Sequence, residues 1–193
     1  MLVSIGAKPL ADFTQPLEML EDCHRRIEYF LDLLRKVEQR LGADELTDEG
    51  RRSLHSALNY FAEFAPRHTA DEEQSLFPRL RRSDSAEARA VVADMERLEG
   101  DHRTCEEGHA AVDRLGRQWM ASGRIDESQR AALKSTLAEL ADIYAAHIAL
   151  EEQSVFQVAA RTLASDEIRE IGEEMKQRRS ITTGDAPSAT AGN

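Results

Sequence analysis

The stretch His68-Thr69-Ala70-Asp71-Glu72-Glu73-Gln74-Ser75-Leu76-Phe77-Pro78 is written a second time as His147-Ile148-Ala149-Leu150-Glu151-Glu152-Gln153-Ser154-Val155-Phe156-Gln157. Both copies read His-x-x-x-Glu-Glu-Gln-Ser, then an aliphatic residue, then Phe. On a helix, residues i and i+4 lie one above the other on the same face. Each copy therefore aims an imidazole and a carboxylate at one spot. That is the pairing a helix uses to hold a transition metal. One such motif alone is usually a surface hydrogen bond or ion pair. Two near-identical copies make the whole chain worth reading as two halves.

Working outward from the copies, apolar positions Leu17, Leu20, Ile27, Leu31 and Leu34 keep helical spacing over residues 16–41, with Pro16 in the first turn, Thr14 as an N-cap and Gly42 as the stop. A second helix starts at Thr47 or Asp48, carries Leu54, Leu58, Phe61, His68 and Glu72, and ends at Pro78. Pro66 lies inside it and should bend it two residues before His68. A third spans about residues 86–120 with His102 and His109, up to the break at Gly123. A fourth runs from near Asp126 through Tyr144, His147 and Glu151 to about Leu163. The expected fold is all-α: an up-down-up-down antiparallel four-helix bundle built from an internal two-helix repeat. It occupies residues 16–163, after an N-terminal arm (1–15). An amphipathic C-terminal extension (164–179) follows, then a Ser/Thr/Ala/Gly/Pro-rich tail (180–193) expected to be disordered.

Composition agrees with a helical domain. Of 193 residues, 32% are charged and only 5% aromatic, with 10 Gly and 5 Pro. The formal charge of −11 argues against nucleic acid and anionic membrane surfaces as partners. No apolar run approaches a membrane span and the first residues do not form a secretory signal, so a cytoplasmic location is expected. Cys23 and Cys105 make neither a disulfide framework nor a Cys-x-x-Cys motif, and are read as buried packing residues.

A layer count shows whether the histidines meet. Measured from the bundle end at Gly42, Asp48, Ala121 and Asp126, His24 lies 18 residues down, His68 20, His102 19 and His147 21. At about 1.5 Å per residue they share one layer within a helical turn. Glu72 and Glu151 reach it from below. Glu21 and Glu99 lie near its height, as outer partners or extra ligands, while Glu28 and Glu106 lean less favourably. Glu73 and Glu152 follow the ligand acids by one residue, turned about 100°, and suit solvated or interhelical ion-pair roles. His55 falls on the opposite side of its helix. His109 sits nearly two turns from the layer and reads better as a core or channel histidine. The candidate metal ligands are therefore His24, His68, Glu72, His102, His147 and Glu151, and the two-fold repeat suits a pair of ions better than one. Burying four imidazoles and two carboxylates without such a partner would cost several kcal/mol.

These residues carry a resemblance to the hemerythrin-like (HHE cation-binding) family, over about residues 16–163. Its motifs are His24 in Leu20-Glu21-Asp22-Cys23-His24-Arg25, the His68/Glu72 segment ending Leu76-Phe77-Pro78, Asp101-His102-Arg103, and the His147/Glu151 segment. The resemblance implies a non-haem di-iron centre of two bridged Fe ions per chain, with Glu72 and Glu151 as the bridges. The sequence departs from the oxygen-carrying members in two places. Glu106 stands where they have a second third-helix histidine. Glu151-Glu152 stands where they have an Asp five residues after the last histidine. More carboxylate and less imidazole stabilises ferric iron and argues against simple reversible oxygen carriage. The leading expectation is a protein that binds or reduces a small oxidant (O2, peroxide or NO), with Tyr144 either offering its hydroxyl to the bound species or simply packing in the core. The alternative is an iron or oxygen sensor, or regulatory binding module, without turnover. A metal-free structural bundle is opposed by the ligand layer. A ferritin-like iron oxidase would share Glu21/His24 and Glu99/His102 but not the order of motifs in helices 2 and 4. Oligomeric state is left open.

Overall fold

The computed structural model describes residues 11–41 and 45–180. Most of the arm, Gly42 and the tail beyond Ser180 lie outside the described residues. The chain is all-helical, its long helices packed antiparallel. Helix α1 (Pro16–Leu41) forms the first leg; α2 (Asp48–Glu63), α3 (Ala65–Asp71) and α4 (Phe77–Arg82) form the second. A short α5 (Ala86–Ala90) leads to α6 (Val92–Ser122), the third leg. The fourth comprises α7 (Glu127–Leu150) and α8 (Phe156–Thr162), and α9 (Ser165–Ser180) folds back against the bundle.

Local chemistry sets most of these boundaries. The Thr47 hydroxyl accepts the Gly50 N–H and caps α2. Asp126 and Gln129 close a reciprocal capping box on α7. Gly123, at φ 74°, turns left-handed to end α6. Its carbonyl accepts the Leu46 N–H at 2.9 Å, tying the two loops at that end together. Thr14 does not cap α1; its N–H and hydroxyl both donate to Asp12. The expected bend of the second leg falls at Phe64, where ψ stays helical but φ opens to −102° ahead of Pro66. The third leg breaks at Val91, at a position that neither proline nor glycine signals.

Two departures from plain α-helix sit at the heart of the fold. Glu72–Leu76 and Glu151–Val155 are each one π-helical turn, closed by Phe77 N–H to the Glu72 carbonyl and by Phe156 N–H to that of Glu151. Such turns recur at functional sites. In a regular α-helix residue i+5 is turned about 140° away from residue i. Here it sits close beneath, so the buried Phe77 and Phe156 follow Glu72 and Glu151 into the interior. Proline is not the cause: Pro78 follows the first turn, but Gln157 follows the second.

The apolar interior is divided in two. One cluster, including Ile27, Leu58, Phe61, Val112, Trp119 and Leu137, fills the end with the tied loops. The other, including Leu20, Phe77, Met95, Leu98, Phe156 and Met175, fills the opposite end. Between them lies a buried polar layer. Helix α9 seals the second cluster. Arg178 and Arg179 both bond the fully buried Asp71, at 2.7 and 2.6 Å, and Arg79 bonds Glu170 and Glu174. Gly172 lies so close to the Phe13 carbonyl that a Cβ there would stand 1.9 Å from its oxygen. Among the described residues, no helix is long and apolar enough to cross a membrane.

Candidate metal centre

The polar layer holds His24 from α1, His68 from α3, Glu72 at the first π turn, His102 from α6, His147 from α7 and Glu151 at the second π turn. All six are buried, three of them (His24, Glu72 and Glu151) completely. Their donor atoms form two overlapping groups, each within 4.8 Å: His24, His68, Glu72 and Glu151, and Glu72, His102, His147 and Glu151. Both carboxylates belong to both groups. Glu72 Oε1 lies 3.3 Å from His68 Nε2 and 3.9 Å from His24 Nε2, while Oε2 lies 3.3 Å from His102 Nε2. Glu151 Oε2 lies 3.0 Å from His24 Nε2 and Oε1 lies 3.1 Å from His147 Nε2. Each carboxylate presents one oxygen to each half of the repeat.

These atoms are close but poorly aligned for hydrogen bonding. Both oxygens of Glu72 and Glu151, and Nε2 of His24 and of His102, are buried without a hydrogen-bond partner. Buried polar groups in that condition are costly. A cation between them would satisfy all at once, and mixed imidazole and carboxylate donors suit iron, manganese or zinc. The donor set fits a metal pair.

Electrostatics tell the same story. Burial alone would lower the His24 pKa, but Glu151, Glu72 and Glu152 outweigh it and hold it at about 9. Burial, reinforced by the Glu151 charge, pushes Glu72 well above the ordinary carboxylate range. Burial acts on Glu151 in the same sense, yet His147 and His24 prevail and hold it low. Burial, with His24 close by, depresses His68. Two carboxylates this close cannot both carry full charge without a cation.

The outer partners are Glu73 and Glu152. Glu73 accepts His102 Nδ1 at 2.8 Å, and Glu152 accepts His24 Nδ1 at 2.9 Å and also pairs with Arg25. With Nδ1–H bonded outward, Nε2 is the nitrogen left facing the carboxylates, and a metal would take the place of any proton it carries. The interhelical ion-pair reading of these residues thus holds, with His102 and His24 as partners. The signal was present in the doubled Glu of each copy; which helix the second Glu reached depended on packing. Asp101 Oδ2 lies 3.5 Å from His147 Nδ1. Its repeat counterpart is Cys23, and His68 Nδ1 has no partner.

The other candidates lie elsewhere. Glu99 bonds Arg81, Glu21 leans towards Arg25, Glu28 and Glu106 are exposed, and His55 is exposed beside Asn59. His109 stacks on Phe61 and shares a 2.8 Å hydrogen bond with the Tyr144 hydroxyl. Burial lowers the His109 pKa to about 4. Burial pushes the Cys105 thiol up to about 12 and raises that of Cys23, which fits inert packing residues. A cavity of about 480 Å3 between the second and third legs reaches His68, His102 and His147 along a wall shared with Phe61, His109 and Tyr144.

Comparison with known proteins agrees with this geometry. The family model described as the Hemerythrin HHE cation binding domain matches residues 15–180, which takes in α9. An uncharacterized protein of Haemophilus influenzae is 28% identical over 171 residues, covering 89% of this chain and 94% of the relative.

Proposed function

The chain belongs to the hemerythrin HHE cation-binding family, and from that premise we propose that its buried layer holds two iron ions and reacts with a small oxidant: O2, peroxide or NO. His24 and His68 would hold one ion, His102 and His147 the other, with Glu72 and Glu151 bridging. The observation that carries the reading is the sharing of both carboxylates between the two donor groups. The irons, when bound, supply the redox chemistry.

The chain's own residues do the rest. Glu73 and Glu152 orient the imidazoles of His102 and His24. The two apolar clusters keep bulk water from above and below the layer and so raise the strength of every charge interaction within it. The cavity beside His68, His102 and His147 gives a small molecule a way in.

Metal content and an optical spectrum, on protein purified without added metal, test this. About two irons per chain and the near-ultraviolet absorption of a bridged ferric pair are expected, with both lost in His68→Ala and in His147→Ala. A single zinc, or no metal after anaerobic ferrous loading, would overturn it. A second reading, a sensor without turnover, draws support from α9, whose arginines grip Asp71 immediately beside Glu72. Metal-dependent hydrogen exchange in α9 without peroxide consumption would favour it.

A further inference from the structure

A row of aromatic rings leads from the layer to the surface. His147 meets Tyr144 edge-on at 6.3 Å between centroids, and Tyr144 meets His109 at 5.7 Å. His109 stacks on Phe61 at 4.1 Å, Phe61 meets Tyr60 at 5.3 Å, and Tyr60 stacks on Phe30 at 4.3 Å. Phe30 meets Tyr29 at 5.1 Å, and Tyr29 is 61% exposed. The chain has three tyrosines in all, and every one lies on this row.

Ordinary core packing would also stack rings, but it does not account for three features. The row breaks the repeat. The two halves are offset by 78 residues at His24/His102 and 79 at His68/His147. By those offsets the counterparts of Tyr144, His109, Phe61, Tyr60, Phe30 and Tyr29 are Ala65, Leu31, Leu140, Glu139, Gly108 and Glu107. None is aromatic. Next, the row ends at a large exposed ring, where a well-packed core would end in a covered one. Last, the inner tyrosine is hydrogen-bonded to a histidine whose other ring nitrogen is buried and unpartnered. A phenol gives up an electron far more readily when its proton can move at the same time, and Nε2 of His109 is placed to take it.

We propose that this row is a one-electron conduit joining the metal layer to a reductant at Tyr29, with Tyr144 and Tyr29 as the oxidisable ends and Phe30, Tyr60, Phe61 and His109 as the bridge. Electron tunnelling falls exponentially with distance, so two shorter jumps by way of Tyr60 outrun one long jump, the phenyl and imidazole rings packing between the tyrosines without being oxidised. In each passage Tyr144 gives one electron inward and its hydroxyl proton to His109 Nε2, becoming a neutral phenoxyl radical. An electron from Tyr29 then crosses the bridge, and the proton returns from Nε2 to Tyr144. Tyr29 loses its proton to water and regains both electron and proton from a small external reductant such as ascorbate. For hydrogen peroxide, two electrons and two protons enter and two waters leave. Two ascorbate molecules each give one electron and leave as the ascorbyl radical. The direction of flow rests on the oxidant-reactive reading above; the conduit itself does not.

Two experiments separate the conduit from that reading. In metal-free protein, photogenerated tris(bipyridyl)ruthenium(III) will oxidise the exposed Tyr29, because Tyr60 and Tyr144 are buried. Freeze-quench electron paramagnetic resonance should then find part of the radical on Tyr144. Tyr144→Phe should keep the radical on Tyr29 and Tyr60, and Tyr29→Phe should cut total yield at least tenfold. Phe61→Leu, with its fold checked by circular dichroism, should slow transfer at least tenfold. A radical that stays on Tyr29 in the native chain overturns the conduit, whatever metal the protein binds. In iron-loaded protein with peroxide and ascorbate, Tyr29→Phe should keep the iron content and the single turnover of a pre-reduced centre but lower the steady-state rate several-fold. Equal steady-state rates of native and Tyr29→Phe protein would also overturn it.

Discussion

The two halves of the repeat are alike around the buried polar layer and differ in much of what lies beyond it. Each contributes two buried histidines and one carboxylate from the start of a π turn, and each sends its second Glu to a histidine of the other half. Outside the layer the first half carries Asp71, clasped by α9, where the second has Leu150. The second half carries Tyr144 and His109, where the first has Ala65 and Leu31. Symmetry is kept where two ions would need equivalent donors. It is lost where the surroundings decide access, anchoring and electron supply.

The largest expected effect comes from breaking what the halves share. Glu72→Ala or Glu151→Ala should each remove both ions, lowering affinity more than 100-fold on the order expected for losing a ligand. Loss of only one ion per chain, by metal analysis, would show the halves to be independent. Next comes an element of one half alone. Asp71→Ala leaves Arg178 and Arg179 facing a buried void and should destabilise the metal-free protein by about 3–5 kcal/mol in denaturant unfolding. Leu150→Ala, at the matching place, should cost about 1–2 kcal/mol for a partly buried side chain. Similar costs at the two sites would deny the clasp its role.

Glu73→Gln and Glu152→Gln should weaken metal binding by about 10–100-fold each, as loss of an outer carboxylate does. Equal losses would confirm equivalence of the halves; a larger one at Glu152 would reflect its shared contact with Arg25. His109 tests the asymmetric half. Its folded pKa of about 4 lies below the unfolded value of about 6.5. The unfolded chain therefore takes up a proton first as pH falls. Stability present above pH ~6.5 should decline between ~6.5 and ~4 and level off below, by roughly 3 kcal/mol at most. His109→Leu should flatten that part of a pH–stability curve. The smallest effect is expected from Pro78→Gln, under about 1 kcal/mol with the metal content intact, since Gln157 already follows an identical π turn.

Much of the centre was legible in the chain because a helix has a constant rise and a constant rotation. Counting residues from the loop ends was enough to put His24, His68, His102 and His147 at one height, and the i, i+4 spacing put Glu72 and Glu151 on the same face. The count stopped where phase changes. Nothing in regular helical spacing announces the π turns that bring Phe77 and Phe156 beneath the two carboxylates. The cap expected at Thr14 failed for a different reason: its N–H and hydroxyl both turn back to donate to Asp12.

Periodicity along the chain was enough to specify the helical legs, their pairing as a repeat and the composition of the buried layer, since these follow from spacing within single helices. Packing between helices settled that each carboxylate faces both halves, that Glu73 and Glu152 cross to the opposite half, that α9 closes on Asp71, and that the three tyrosines line up. Those relations join residues tens of positions apart through the angle and separation of packed helices. No spacing along one chain encodes such angles, because they are settled by how the whole interior fills.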